Sequence, residues 1–461
     1  MYVISNRVKV LCFLGPVVNV AIACGSTQGD QTSSAGSGGD AGLSGASSSG
    51  GTSSSGGASN PGGTAGHGDA GAAGASAGGS TDGGMGGYDF TPVGGEGGLG
   101  DGGETSTVNE GPVDAISVGY WHACATVHQS VHCWGANSEG QLGNGSTVDS
   151  DTPVDVQGLG SGVVAISTGY FHACALVGGE VWCWGLNQHG QLGTGTLQSS
   201  SVPVRVEALG SNVTAISAGG NHTCATVNGA AYCWGYNALA QVGDGTRVDR
   251  LTPVPVVGLS VGVTALDAGE YQTCAVHGGT VVCWGQNAGA VHSDLTPAEV
   301  ADTGGTYAVT TGGNLTCALR KDDALGGDGG SSGRSASEPI CWGTGQYGAL
   351  GDGQGKSSAT PVALFGLTSA DQISAGPEFG CAIAHGAAYC WGSNIWAAVG
   401  DGTVAERDVP TPVSGLGSGV TAISAGGESH NCAIAHGQVY CWGTGSWKTG
   451  TLVPQLVPLD P

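Results

Sequence analysis

Cysteine offers this chain more chemistry than any other residue type, because fourteen of its sixteen cysteines fall into seven pairs, each followed by Trp-Gly. The pairs are Cys124/Cys133, Cys174/Cys183, Cys224/Cys233, Cys274/Cys283, Cys317/Cys341, Cys381/Cys390 and Cys432/Cys441. Six of them are nine residues apart. If Cys174 lies opposite Cys183 in an antiparallel hairpin, the turn is Gly178-Gly179. The same arithmetic puts Asn228-Gly229, Gly278-Gly279, His385-Gly386 and His436-Gly437 at the turns of four others. Such residues tolerate the positive φ that a two-residue hairpin turn requires. The pair flanking the turn exchanges hydrogen bonds and the next pair does not. Alternation therefore makes the cysteines a non-hydrogen-bonded pair with Cα atoms ~4.5 Å apart, a separation that fits a disulfide. Each ten-residue loop so closed contributes roughly 2.5 kcal/mol in the chain-entropy model. Seven bridges imply an oxidising compartment. A zinc site of two cysteines and a histidine in each unit is disfavoured, because the cysteines are preorganised to bond each other and no Cys-x-x-Cys is present.

Histidine is the next candidate. His122, His172, His222 and His430 each stand two residues before the first cysteine of a pair. Converging on a central channel, four imidazoles could bind a metal or carry a pH response. The alternative, adopted here, is that the histidine belongs to the repeat and hydrogen-bonds within its own unit. No metal or other cofactor is then expected. Gly329-Gly330-Ser331-Ser332-Gly333 spells the nucleophile-elbow pattern, but in a Gly/Ser-rich insertion without strand-to-helix context. No clustered acid/base pair recurs at comparable positions. The chain is therefore read as a binding protein, not an enzyme, with a carbohydrate-active enzyme as the alternative.

The elements that must position these residues are strands. Upstream of each hairpin come short, β-branched segments bounded by Gly or Pro, such as Thr152-Pro153-Val154-Asp155-Val156 and Val163-Val164-Ala165-Ile166-Ser167. One hairpin face carries cysteine with Leu176/Val181 or Ile434/Val439, and the other sets Ala against an aromatic, as in Ala175/Trp182, Ala225/Tyr232, Ala382/Tyr389 and Ala433/Tyr440. Both faces are apolar and no amphipathic helical stretch can cover them, so the sheets must cover one another. First cysteines stand at 124, 174, 224 and 274, then at 317, 381 and 432. Seven four-stranded units in roughly 350 residues predict an all-β, seven-bladed propeller over residues 110–461. Since the first unit starts at Val113 with no Thr-Pro-Val segment before it, and Thr451 to Val457 has no hairpin after it, the last strand is expected to complete the first blade.

The unit from Ala165 to Leu176, continued by Val181-Trp182-Cys183-Trp184-Gly185-Leu186-Asn187 and Gly190-Gln191-Leu192-Gly193, resembles the repeat of the regulator of chromosome condensation family. Gly-Gln-Leu-Gly after Trp-Gly-x-Asn is intact at 140–143 and 190–193. It decays to Ala240-Gln241-Val242-Gly243, Gly348-Ala349-Leu350-Gly351 and Ala397-Ala398-Val399-Gly400, and is lost in blade four. The resemblance implies a seven-bladed propeller. The family's eukaryotic prototype is a nuclear nucleotide-exchange factor for a small GTPase, so guanine-nucleotide exchange is a reading by family analogy only. Secreted bacterial members resemble this chain better. One of them inhibits β-lactamases, which implies protein binding through the loops.

Residues 1–23 read as a signal peptide: Arg7 and Lys9 precede an apolar run from Val10 to Ala23, and Ala21-Ile22-Ala23 satisfies the small-x-small cleavage rule. The run is too short for a membrane-spanning helix. Cys24 follows at once, and as the one cysteine of the mature chain without a partner it resembles a bacterial lipoprotein acceptor. Residues 24–109 collapse to Gly, Ser, Ala and Thr and predict a disordered tether, with a root-mean-square reach of ~50 Å. The expected location is outside the cytoplasm, as an outer-membrane or cell-surface lipoprotein or, alternatively, as a secreted protein. Contact with the membrane would be through the lipid alone.

Eleven basic against thirty-five acidic residues give a net charge of −24, which makes nucleic acid and anionic lipid improbable ligands. A protein or an envelope glycan remains, bound by what is expected to be a monomer. The candidate binding residues are aromatics at loop tips, Tyr120-Trp121 and Tyr170-Phe171 in neighbouring units with Tyr271 two units further on. The same aromatics could instead cap their own blades. The insertion from Lys321 to Pro339 replaces a hairpin turn and belongs to the opposite face.

Overall fold

In the computed structural model the described residues are 113–286, 293–321, 337–427, 430–444 and 450–459. They form seven four-stranded antiparallel sheets in succession. In the first, β1 (Val113–Val118), β2 (His122–Val127), β3 (Ser130–Gly135) and β4 (Ser150–Asp155) pair in that order. The other blades span 163–205, 213–255, 263–299, 306–363, 372–412 and 420–457. The signal peptide, Cys24, the tether to residue 109 and the serine motif at 329–333 lie outside the described residues.

The hairpin register is the one that the cysteine spacing predicts. Cys174 faces Cys183, Ala175 faces Trp182 and Val177 faces Glu180, with positive φ at Gly178 and Gly179. Blade 1 makes the same turn with two non-glycine residues, His128 and Gln129, both at positive φ; Asp114 Oδ2 accepts the Gln129 N–H at 3.1 Å and steadies it. Seven disulfides join the hairpins: Cys124–Cys133, Cys174–Cys183, Cys224–Cys233, Cys274–Cys283, Cys317–Cys341, Cys381–Cys390 and Cys432–Cys441. Their Cα separations are 4.0–4.1 Å, somewhat closer than the ~4.5 Å of an unbridged non-hydrogen-bonded pair.

On its other edge the strand carrying the second cysteine departs from simple alternation. In blade 1, Cys133 faces Val154 but Gly135 faces Ser150, so Trp134 alone stands against Asp151, Thr152 and Pro153. The same shift follows Cys183, Cys233, Cys283, Cys341, Cys390 and Cys441. The glycine after each tryptophan takes the positive φ that such a bulge needs, +110° at Gly135 and +100° at Gly235 and Gly392. Cysteine spacing sets the inner hairpin and is silent about this outer pairing.

The phase of the repeat differs from expectation. Each Thr-Pro-Val-type segment is the outermost strand of the blade before it, not the opening strand of the next, so blade 1 keeps Thr152-Pro153-Val154 in β4. Thr451–Val457 correspondingly pairs with Gln438–Gly443 in its own blade. Among the described residues no strand passes from the last blade to the first. The physical reason is proline: it cannot donate to a ladder and belongs on a sheet edge, where it also discourages edge-to-edge pairing.

Sheets do cover one another. The disulfide face of blade 2, with Leu176 and Val181, packs on Ile216, Ala225 and Trp234 of blade 3. The ring closes the same way: Ile434, Val439 and Cys441 of the last blade pack on Ile116, Val118 and Trp134 of the first. In blades 1, 2, 3, 5 and 6 the loop after Trp-Gly wedges into the seam with the next blade. Asn237 pins it by accepting from Val242 N at 3.0 Å and donating to the Val248 carbonyl at 3.0 Å. Trp234 Nε1 of blade 3 then donates to the Gln191 carbonyl of blade 2 at 2.9 Å, and Trp184 and Trp284 repeat the bond to Gln141 and Gln241. Gly193 has φ +71°, and a Cβ there would stand 2.7 Å from Trp234 Nε1. The repeat motif is thus the wedge between blades.

Candidate functional site: the channel mouth

The seven innermost strands line the centre, and one polar side chain from each clasps the next blade. Ser117 Oγ accepts from Thr168 N at 3.0 Å, Ser167 from Ala218 N at 2.9 Å, Ser217 from Ala268 N at 2.9 Å, Thr310 from Ala375 N at 3.2 Å and Ser374 from Ala425 N at 3.0 Å. Ser424 closes the ring by accepting from Val118 N at 3.1 Å. Blade 4 departs from the pattern. There Asp267 takes the hydroxyl's place, accepting from Thr311 N at 2.7 Å and from Ser217 Oγ at 2.9 Å. Burial outweighs these bonds and pushes its carboxyl up to about 6.

Two residues beyond Ser117, Ser167 and Ser217 the chain comes to a glycine that lets the blades close in. A Cβ on Gly169 would stand 2.3 Å from the Gly219 carbonyl, and one on Gly219 2.3 Å from that of Gly269. Next come the tips, which are unequal: Tyr120, Tyr170, Gly220, Glu270, Gly313, Pro377 and Gly427. They surround a cavity of about 80 Å³ whose wall includes Asp267.

The structure brings four of the five expected aromatics into one cluster. Ring centroids of Tyr120 and Tyr170 lie 4.6 Å apart, Tyr120 and Trp121 5.0 Å, and Phe171 is 6.4 Å from both tyrosines. All four are half-buried. Tyr271 neighbours Glu270, whose carboxylate acts on the hydroxyls of both Tyr170 and Tyr271. Burial and then the Glu270 charge push the Tyr170 hydroxyl well above its ordinary range, while the hydrogen bond to Glu270 is the main cause that holds Tyr271 at about 12. Tyr170 belongs to blade 2 and Glu270 to blade 4, with Gly220 of blade 3 between them on the rim. A side chain on Gly220 would meet the Glu270 backbone at 2.8 Å.

The bridge cysteines take no part in this site. None of the fourteen lines the cavity. Cys124, Cys174, Cys224, Cys274, Cys317, Cys381 and Cys432 lie on the second strand of each blade, one strand away from the channel. Cys133, Cys183, Cys233, Cys283, Cys341, Cys390 and Cys441 lie on the third strand, further out again. All are buried in the cores between blades, so their role is to staple the scaffold.

The histidines are elsewhere too. Each is buried in a seam, and the bonds of two of them cross to the next blade instead of staying in their own: His172 Nε2 is 3.0 Å from Thr223 Oγ1 and His222 Nε2 is 2.8 Å from Thr273 Oγ1. Thr223 donates its proton to the Gln191 carbonyl, so its oxygen accepts from His172 Nε2–H. Nδ1 of His172 and of His222 has no partner among the described residues. A second ring proton would thus be buried without an acceptor, and desolvation holds His122, His172 and His222 down at about 3 and His430 at about 4. Among the described residues no three His, Cys, Asp or Glu side chains group as metal ligands.

Asp267 and Glu270 were not among the sequence candidates. A signal existed in the comparison of units, where Ala115-Ile116-Ser117, Ala165-Ile166-Ser167 and Ala215-Ile216-Ser217 give way to Ala265-Leu266-Asp267.

The family model described as the regulator of chromosome condensation (RCC1) repeat matches residues 129–176, 178–226, 228–276 and 385–434, and a second model of the same repeat matches 163–191 and 213–241. No curated protein matches the chain. Among solved structures, Prp20p from Saccharomyces cerevisiae, described with its binding to Gsp1p and histones, is 22% identical with a TM-score of 0.61, covering 76% of this chain and 86% of its own. Human WBSCR16 is 22% identical with a TM-score of 0.59, covering 71% of this chain and 88% of its own. Yeast RCC1 (Prp20) bound to Kap60 gives 22% identity and a TM-score of 0.58, covering 68% of this chain and 78% of its own. The chain is thus a seven-bladed propeller of interlocked four-stranded blades in which the regulator of chromosome condensation repeat is matched over residues 129–276 and 385–434.

Proposed function

We propose that the protein is a binding module that captures a protein partner on the face of the channel mouth and is held at the outside of the cell by a lipid on Cys24. The observation that carries the binding reading is the cluster of Tyr120, Trp121, Tyr170 and Phe171, four half-buried rings grouped at one side of the mouth. Large rigid aromatics at loop tips offer contact area at low entropic cost and are frequent interface anchors. Relatives of this fold are described with protein partners, Prp20p with Gsp1p and histones. An envelope glycan is the second reading, since the same rings could stack on sugar faces.

The test is cross-linking capture from intact cells with the wild type and with Trp121→Ala/Phe171→Ala. An anchor of 2 kcal/mol corresponds to about a thirtyfold loss of affinity, which is the expected result with little change in thermal stability. Retained affinity with lost stability would mean that the rings cap their blades. For the anchor, Cys24→Ser should move the protein out of the membrane fraction. Wild type found soluble with an unmodified Cys24 would leave secretion as the answer.

A further inference from the structure

We infer that the channel mouth takes a cationic side chain, arginine or lysine, from the docked protein, with Glu270 as its first counter-charge and Asp267 below it. This deepens the docking reading and rests on it. The cavity is lined by inner strands and tips of all seven blades, and no lysine, arginine or histidine is among the residues that line it. Its charged side chains are two carboxylates at two depths. Asp267 belongs to the wall formed by the inner strands, and Glu270, three residues on, belongs to the rim.

Glu270 is aimed. Its Oε2 lies over Gly313 of blade 5, 2.8 Å from where a Cβ would be. The carboxylate thus reaches from blade 4 toward blade 5 at the rim of the opening. Tyr120 and Tyr170, whose ring centroids are 4.6 Å apart, line the same cavity. A guanidinium suits this combination because it stacks on aromatic rings and bonds a carboxylate through two donors. The surrounding charge favours it too: the chain carries a net −24, a field that draws cations and repels acidic partners.

The full-length disulfide-bonded chain would be titrated, with isothermal calorimetry as the readout, against three probes: acetyl-Gly-Arg-Gly-amide, the same peptide with citrulline, and calcium chloride. Citrulline keeps the shape of arginine and removes the charge. The arginine peptide should bind at least tenfold more tightly than the citrulline peptide, and Glu270→Gln should abolish most of that preference. Glu270→Asp keeps the charge but draws it back from the opening, and should retain an intermediate preference. Equal binding of the two peptides overturns the inference, as does an unchanged preference in Glu270→Gln. Calcium binding that depends on Glu270 while the arginine peptide fails to bind also overturns it, in favour of an inorganic cation. The docking reading fails separately: arginine preference with partner capture indifferent to Trp121→Ala/Phe171→Ala sinks docking on the aromatics and leaves the cation pocket, and the converse leaves docking without the pocket.

Discussion

Ser217 Oγ donates to Asp267 Oδ1 at 2.9 Å while accepting from Ala268 N at 2.9 Å, so one serine of blade 3 holds both the side chain and the backbone of the blade 4 inner strand. A carboxyl replaces the hydroxyl clasp at one point of the ring, and burial holds its pKa at about 6 against an ordinary 3.8. A folded-state value above the unfolded one means that the folded chain prefers the protonated acid. The associated stability is fully present below pH 3.8 and is lost as pH rises through about 6. At pH 8 the loss is about 3 kcal/mol. Asp267→Ser restores the serine used by blades 1, 2, 3, 6 and 7 and should raise the denaturant midpoint at pH 8, with the gain shrinking toward pH 4. A destabilised variant at pH 8 would mean that the ionised carboxylate's two bonds outweigh its burial.

The seam histidines act in the opposite direction. Their folded values of about 3 to 4 lie below the ordinary 6.5, so the unfolded chain binds more protons between those limits and stability falls as pH drops through that window. Each fully displaced site contributes about 1.4 kcal/mol per pH unit there. His172→Gln keeps a donor for Thr223 and has no proton to gain. Equilibrium unfolding from pH 7 to pH 4 should therefore show a shallower decline for the variant, by about 1.4 kcal/mol per unit at most. Parallel curves would place the acid sensitivity elsewhere.

Much of this was open to a reader of the sequence, and the rest was not, for reasons that particular residues make plain. Gly178-Gly179 at the midpoint of a nine-residue cysteine spacing fixes a register, because turn chemistry and strand alternation leave one solution. Phase is different. A repeating chain has no intrinsic first strand, and Thr152-Pro153-Val154 reads equally well as the end of one unit or the start of the next. Proline's preference for an edge was the available clue. The seam bonds of His172 and Trp234 could not be assigned, since their partners Thr223 and Gln191 lie 51 and 43 residues away and depend on how blades stack. Tyr170 and Glu270 share one rim only because the blades close around a common cavity.

The wedge between blades 2 and 3 gives a steric prediction. At Gly193 both the positive φ and the 2.7 Å approach of a Cβ to Trp234 Nε1 oppose any side chain. Gly193→Ala should cost about 1–3 kcal/mol through strain and overpacking. Gly178 is the control: it too has positive φ, but nothing lies within 4 Å of its Cβ position, and Asn228 already occupies the equivalent turn. Gly178→Asn should change stability by less than about 0.5 kcal/mol. Denaturant titration of both variants checks the contrast, and equal effects would show that φ alone governs these glycines.

The disulfides differ in the loop they close, and that difference can be read in stability. Six span a separation of nine residues, while Cys317–Cys341 spans 24. In the chain-entropy model the short staples contribute roughly 2.5 kcal/mol each and the long one roughly 3.5 kcal/mol. Because the geometry at the bridge is the same, with Cα atoms 4.0 Å apart in both Cys174–Cys183 and Cys317–Cys341, loop length is the main variable. Mass spectrometry of the non-reduced protein should find all seven bridges within their hairpins. Replacing Cys317 and Cys341 together by Ala should then lower stability more than replacing Cys174 and Cys183, by about 1 kcal/mol. Mixed connectivities would undo the register itself. Correct connectivities with a smaller loss at Cys317/Cys341 would mean that the reduced blade 5 loop keeps its ends together without the bond.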